Sequence, residues 1–451
     1  MLLLLPFFVG FCGMRGMTKF SMRGTRLTMS CILPITLLAF TAVFVTAASQ
    51  IEWPSWRGPH GSGSIETGTY PVKWDSTNVL WKVELPGKGT STPIVRKARI
   101  YLTVPAEGQD AVMAFDFSGR RLWQTSLGPE SPPKHRTLGS SGNASPVTDG
   151  QGLFVYFKSG TLAALEFDGT VRWRINLVER FGRDQIFWDQ GASPIVTDKH
   201  LVMTRMHSGE SWIAGFDKTT GELRWQEARH YKAPTENDNG YTTPVAFQHQ
   251  GKEALLLWGA DHLTAHDASN GKLLWFCGGF NPESTGYWPA IATPAIVGNM
   301  AVVPVGRDDR PGQARLHGIK LGGSGDVTTT HRSWKRDDLG VFVATPASHK
   351  GRVYLLRHRG EVVCIDPADG KTVWSGAFPE HRTPYYSSPV IANGILYAAR
   401  EDGVIFVARV EPKFELLGEN PMGERVIASP VPVANRLLIR GDRHLFCVAG
   451  D

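Results

Sequence analysis

Six basic residues recur at one place in a repeating pattern. Lys158, Arg205, Arg307, Arg357, Arg400 and Arg440 each stand 10 to 13 residues after a Ser-Pro or Thr-Pro pair. Further bases lie between the repeats (His135, Arg136, Arg183, His230, His381, Arg382 and Arg425), close to the rings of Trp188, Tyr241, Tyr287, Trp288, Tyr385 and Tyr386. Guanidinium groups beside flat rings suit recognition of carboxylate, sulfate or phosphate, with stacking on sugars or side chains. The candidate ligand-binding set is Arg136, Arg183, Trp188, Arg205, Tyr241, Trp288, Arg307, Arg357, Arg382, Tyr385, Arg400 and Arg440. Two readings are open. Either these groups converge on an anion-receptive funnel, or each arginine packs its stem over a seam and pairs with a local acid such as Asp402 or Asp442.

Other chemistries find little support. The chain has no Gly-x-Ser-x-Gly elbow, His-Glu-x-x-His helix or phosphate loop. Asp308-Asp309 and Asp337-Asp338 are paired carboxylates only in sequence; neighbours on a strand point to opposite faces, so they read as solvated turn acids. Asn237-Asp238-Asn239 offers hard oxygen ligands, yet it also reads as a polar turn. No catalytic residue and no metal ligand is expected. Beyond residue 50 only Cys277, Cys364 and Cys447 remain, far apart and odd in number. That excludes a disulfide framework and any Cys-x-x-Cys motif, and the three read as buried small hydrophobes.

The elements that must position the bases follow from the Ser/Thr-Pro pairs. Their prolines are Pro93, Pro146, Pro194, Pro244, Pro294, Pro346, Pro389 and Pro430, spaced 41 to 53 residues apart. A period of this size marks a repeat in which each unit buries its faces against its neighbours. Proline lacks an N–H and suits the first residue of a strand, as in Pro194-Ile195-Val196. Two more apolar runs follow, and a sharp Asp…Gly turn such as Asp366-Pro367-Ala368-Asp369-Gly370 leads into a fourth run with a Trp. The pattern predicts an all-β, eight-bladed β-propeller of four-stranded antiparallel blades over residues 51–451. Trp81 has no blade before it, and the unit from Pro430 has three strands. Val79–Val83 is therefore expected to supply the missing strand and close the ring, with 51–77 as a wrapping segment. The blade tryptophans are Trp81, Trp123, Trp173, Trp225, Trp275, Trp334 and Trp374, with Phe414 standing in for the seventh blade.

Charge and leader bound the partners. The formal charge is +6, but Arg15, Lys19, Arg23 and Arg26 lie in an acid-free first 50 residues; without them 44 bases face 42 acids. Nucleic acid is not an expected partner. Basic Arg23 and Arg26, apolar Ile32–Val45 and small Thr46-Ala47-Ala48-Ser49 read as a cleaved export signal, so residues 1–50 are taken as a leader. The expected product is periplasmic or secreted, with no stable membrane span once the leader is removed.

Ala265-x-Asp267 with Gly271 and Trp275 resembles the quinoprotein-type repeat A-x-D-x-x-T-G-x-x-x-W, as do Gly215-x-Asp217 with Thr220-Gly221 and Trp225, and Cys364-x-Asp366 with Gly370 and Trp374. Ala114-x-Asp116 with Gly119 and Trp123 is one residue shorter, and Gly318-Ile319-Lys320 departs by lacking the Asp. With the opening Trp53-Pro54-Ser55-Trp56-Arg57-Gly58-Pro59, the chain from 53 to 451 resembles exported bacterial pyrroloquinoline-quinone-like propellers. It is similar in fold to the propeller subunit of the outer-membrane barrel-assembly machinery. The resemblance implies tryptophans docked between blades and a non-catalytic scaffold that binds a protein segment or an anionic carbohydrate in the envelope. The alternative it carries is a pyrroloquinoline-quinone-dependent oxidoreductase of alcohols or sugars. Such enzymes floor the quinone with Trp, cap it with a disulfide between adjacent cysteines and hold Ca²⁺ with Glu, Asn and Asp. No adjacent cysteines and no haem-attachment motif occur here, so no cofactor is expected.

Overall fold

A computed structural model describes residues 52–449 except 76; the leader reading of residues 1–50 lies outside them. Eight antiparallel sheets follow one another along the chain, each entered by its Ser/Thr-Pro pair. They span 94–129, 147–176, 195–228, 245–277, 295–336, 347–377, 390–421 and 431–449, here blades 1 to 8. Blade 8 receives its outer strand from Val79–Glu84, with Trp81 opposite Cys447 and Val83 opposite Leu445. The expected closure and the count of eight both hold.

The repeating pair has a physical role beyond starting strands. The residue before a proline is held extended, and here its N–H points sideways to the neighbouring blade. Thr92 donates to the hydroxyl of Ser145 at 2.9 Å, Ser145 to Ser193 at 3.0 Å, Ser193 to Thr243 at 3.0 Å and Thr243 to Thr293 at 3.2 Å. Thr293 donates to Thr345, Thr345 to Ser388, and Ser429 back to Thr92. This belt runs from blade 8 through blade 1 and round to blade 7, and it satisfies N–H groups that the ladders leave unpaired.

Apolar packing lies between blades, in seams such as that of Ile94, Tyr101 and Val112 of blade 1 against Leu153, Val155 and Leu165 of blade 2. At the outer end of the seams, Trp81, Trp123, Trp173, Trp225 and Trp334 lie over Gly119, Gly169, Gly221, Gly271 and Gly370 of the following blade. A methyl group at any of these glycines would come within 2.4 to 2.8 Å of the ring, and all have positive φ. Four of the indole N–H groups donate to carbonyls of that same blade, those of Phe117, Phe167, Lys218 and Pro367.

Two seams differ from expectation. In blade 7 the tryptophan register belongs to Gly418, opposite Val407, and not to Phe414, which packs back against Gly376 and Trp374 of blade 6. The absent ring leaves room for the wrapping segment. Asn420 donates to the Val72 carbonyl and accepts the N–H of Trp74, which is buried in this seam. In blade 5 the insert before Trp334 adds Gly325–Asp326 as a parallel fifth strand on blade 4, against Trp275 and Phe276. Trp275 is fully buried there, and its N–H finds no acceptor.

The wrapping segment starts on the inside of the ring. Trp53 is fully buried and bridges Val95 of blade 1. Arg57 crosses to blades 6 and 7, donating to the Pro346 and Pro389 carbonyls at 3.1 and 3.0 Å. Ser64–Ile65 then pairs in parallel with blade 7.

Candidate functional site

In an antiparallel blade the turn between the second and third strands shares a rim with the loop to the next blade. The recurring bases and the ringed loops therefore meet on this loop rim, while the Asp…Gly turns occupy the opposite rim.

The loop rim is held by acids that reach across blades. Asp189, between blades 2 and 3, accepts the N–H groups of Lys134 and His135 at 2.8 and 3.2 Å and pairs with Lys158 at 2.5 Å. Asp308 accepts those of Phe342 and His358 at 2.9 and 2.6 Å. Its side chain is 1% exposed, so it is no solvated turn acid, and burial pushes its carboxyl up. Glu424 accepts the N–H groups of Arg443 and His444, both at 2.9 Å.

The twelve candidate residues divide by what they touch. Arg440 is 1% exposed and donates to the carbonyls of Ser91 and Thr103. Arg205, also buried, caps the carbonyls of Phe181 and Gly182 and lies 5.2 Å over Trp212. Arg400 pairs with Asp402 at 2.9 Å, Arg307 with Asp309 at 2.6 Å, and Arg357 with Glu361. Tyr385 stacks on Phe378 beneath the surface, and Trp288 is buried with its N–H on Gln313. Asp442, named in sequence as an arginine partner, takes Arg425 at 2.6 Å. Arg136, Arg183 and Arg382 are exposed and form no ion pair among the described residues.

Trp188 and Tyr241 do come together. The Trp188 N–H donates to the Tyr241 hydroxyl at 3.1 Å, and its ring lies 4.9 Å from His135 and 4.8 Å from Phe187. Phe187 and Tyr287 are more than half exposed and Trp188 is 41% exposed. The loops carrying them interlock: the Phe187 N–H donates to Asn239 at 2.8 Å, and that of Tyr287 to the Thr235 carbonyl at 2.8 Å. Arg136 and Arg183 belong to the same loops as His135 and Phe187. The result is an exposed Phe187–Trp188 pair between blades 2 and 3 and an exposed Tyr287 between blades 4 and 5, each on a loop tied to the one between blades 3 and 4. Phe187 was missed in sequence; its signal is the adjacency Phe187-Trp188 in a loop, where two large rings have no strand to bury them.

The residues present are a poor match for the quinone and calcium that the redox propellers use. Beside Pro54–Ser62 lies an axial cavity of about 350 Å³, walled by the first strands of blades 2 to 6; none of its lining residues is acidic. Cys277, Cys364 and Cys447 are buried in three different blades. Among the described residues no group of three or more His, Cys, Asp and Glu is placed to hold a metal. These residues do not fit the quinone or its calcium.

Eight blades, interblade tryptophans and a sealing strand from the amino-terminal side define a quinoprotein-type propeller. The chain belongs to the family described as outer membrane protein assembly factor BamB, whose profile matches residues 65–209, 108–276 and 323–411. It is 20% identical over 349 residues to outer membrane protein assembly factor BamB of Yersinia pestis, covering 74% of this chain and 78% of that one. Among solved structures, BamB from Moraxella catarrhalis superposes with a TM-score of 0.58 at 15% identity, over 82% of this chain and 97% of that chain. A europium-containing methanol dehydrogenase superposes at 0.63 with 10% identity, over 86% and 89%. At these identities the structural likenesses speak to fold alone. Among the described residues no helix is long and apolar enough to cross a membrane.

Proposed function

We propose that this chain is an exported, non-catalytic propeller scaffold that binds a protein segment of the cell envelope at its loop rim. The carrying observation is the exposed pair of Phe187 and Trp188 beside His135 on interlocked loops, with Arg136 and Arg183 close in sequence. Rings held on a braced base lose little freedom on binding, and aromatic and arginine side chains are the usual anchors of protein interfaces. Arg382 extends the cationic character of the rim. On this reading the buried and paired arginines brace the rim rather than line a funnel. The relatives are named as outer membrane protein assembly factors, which supports a protein partner in the envelope and a periplasmic site of action.

The test is cross-linking capture from envelope extract with the wild-type chain and with a Phe187→Ala/Trp188→Ala pair, alongside Arg136→Ala/Arg183→Ala. The aromatic pair should lose a discrete protein partner at least tenfold, with an unchanged melting temperature, and the arginine pair should weaken capture less. Equal capture by both variants overturns the reading. Retention of an anionic glycan in place of a protein would move the partner to carbohydrate. Bound quinone in an absorbance spectrum, with dye-linked turnover of an alcohol or sugar, would move the chain to the oxidoreductases.

A further inference from the structure

The axial cavity beside Pro54–Ser62 has a chemistry of its own. Its volume of about 350 Å³ lies within the range of pockets that hold small organic molecules. Much of the wall is apolar, built from Pro194, Ile195, Pro244, Val245, Pro294 and Ala295. It meets a second cavity of about 490 Å³ at the turn rim, where His60, Ser62 and Ser348 line both. A small molecule therefore has a route to the axis.

Two polar features stand in this wall. The first is Arg57, a lining residue only 4% exposed. Its guanidinium is held between the Pro346 and Pro389 carbonyls. Among the described residues it forms no ion pair, and its Nε finds no acceptor. Burial pushes its pKa down to about 9 with no carboxylate to offset the effect, so the group stays charged at neutral pH. A buried charge without a counter-charge is costly.

The second feature is a row of hydroxyls from the belt. Ser193, Thr243, Thr293 and Thr345, on four consecutive blades, all border the cavity and are at most 9% exposed. Each hydroxyl oxygen accepts an N–H from the preceding blade, at 2.9 to 3.2 Å. Among the described residues none of the four donates its own proton. Hydroxyls one position earlier in other pairs do donate: Thr242 to the Trp258 carbonyl at 2.6 Å and Ser387 to that of Ala428 at 3.2 Å. The row ends beside the charge, because Arg57 sits on Pro346, the residue after Thr345. The wall thus sets one cation and four spare O–H donors against no acidic side chain.

We propose that the axial cavity binds a small organic monocarboxylate with an apolar body, an aromatic or branched-chain acid. The carboxylate supplies the charge that Arg57 lacks and accepts from the hydroxyl row; hydrogen bonds to an ionised acceptor are the strong ones. The prolines and branched side chains take the apolar body. One guanidinium balances one carboxylate, and no metal ligand is involved, which sets this ligand apart from the quinone and calcium of the redox propellers. The site is independent of the partner proposed for the loop rim.

The test titrates 4-fluorobenzoate into the purified protein, followed by ¹⁹F line broadening and by the melting temperature. Saturable binding is expected, with a melting temperature that rises with ligand concentration. Acetate keeps the charge and 4-fluorobenzyl alcohol keeps the ring; each should bind at least tenfold more weakly. Arg57→Met should bring the acid down to the level of the alcohol. Thr243→Val should weaken the acid more than the alcohol. Ala246→Phe fills the cavity from an exposed wall position and leaves Arg57 and the belt in place. It should abolish binding of acid and alcohol alike, and it serves if the other variants do not fold. Absence of saturable binding in the wild-type protein overturns the site. So does acetate or the alcohol binding as tightly as 4-fluorobenzoate, or full binding by the Ala246→Phe variant.

Discussion

The two rims of the ring use the same bond, a carboxylate accepting backbone N–H groups, over very different distances along the chain. On the turn rim the five repeat-turn aspartates serve their own turns: Asp116 takes Ser118, Asp168 takes Thr170, Asp217 takes Thr219 and Thr220, Asp267 takes Ser269, and Asp366 takes Ala368. On the loop rim Asp189 reaches residues 54 and 55 positions away, Asp308 reaches 34 and 50, and Glu424 reaches 19 and 20. The turn rim is a copied local solution. The loop rim is a set of individual cross-braces, and individuality is what a recognition surface needs.

Removing one brace should produce the largest effect. Asp189→Ala strips the partner from Lys158 and leaves two loop N–H groups unpaired. A loss of about 3–5 kcal/mol is expected in urea unfolding, together with faster amide exchange at Lys134 and His135. A loss under about 1 kcal/mol would erase the contrast between the rims.

An intermediate effect should appear with pH. Burial holds His266 down to about 4 and His317 to about 3, against about 6.5 in an unfolded chain. His266 keeps partners of its own, the Gly271 carbonyl and the Thr264 hydroxyl, whereas His317 has none. Between pH 6.5 and these depressed values the unfolded state binds protons that the folded state refuses. Stability is therefore full above pH 6.5 and falls as pH drops, by about 1.4 kcal/mol per pH unit for each imidazole. His317→Phe should reduce that slope throughout the range below pH 6.5. An unchanged profile in chemical unfolding from pH 7 to 4 would show that the imidazole does not carry it.

The smallest effect belongs to the turn rim. Asp217 is held at about 2, first by its hydrogen bond from Arg224 and then by backbone N–H groups, but solvent screens it. Asp217→Ala should move the melting temperature by about 1 °C or less, and a drop of several degrees would place the two rims on an equal footing.

The same distinction explains how far the chain could be read from its residues. Ser/Thr-Pro pairs, Asp…Gly turns and tryptophans are local and repeated, so eight blades and their closure by Val79–Glu84 follow from them. The hydroxyl belt was invisible because six of its bonds join residues 43 to 53 positions apart and the seventh joins Ser429 to Thr92, although every participant was already marked by the proline beside it. Phe414 misled because register, not aromatic character, decides which residue faces the next blade; the seam is filled from outside the repeat by Trp74. The site was less legible. An arginine at a recurring position says where a cation starts, and only the partner says where it ends. Asp308 and Asp402 are ordinary acids in sequence until the loops bring them home. Trp188 and Tyr241 were found because rings in polar loops have few local ways to hide.

The origin of blade 8's outer strand carries a consequence for biogenesis. Residues 79–84 have to wait, as half of a clasp, until residues 444–449 are delivered. As the chain is made from its amino-terminal end the early repeats can stack, yet the annulus stays gapped, with a raw strand edge at each side of the breach. Whatever shields those edges until then governs the yield of sealed molecules, and a lesion in the clasp would act first on the closing of the ring.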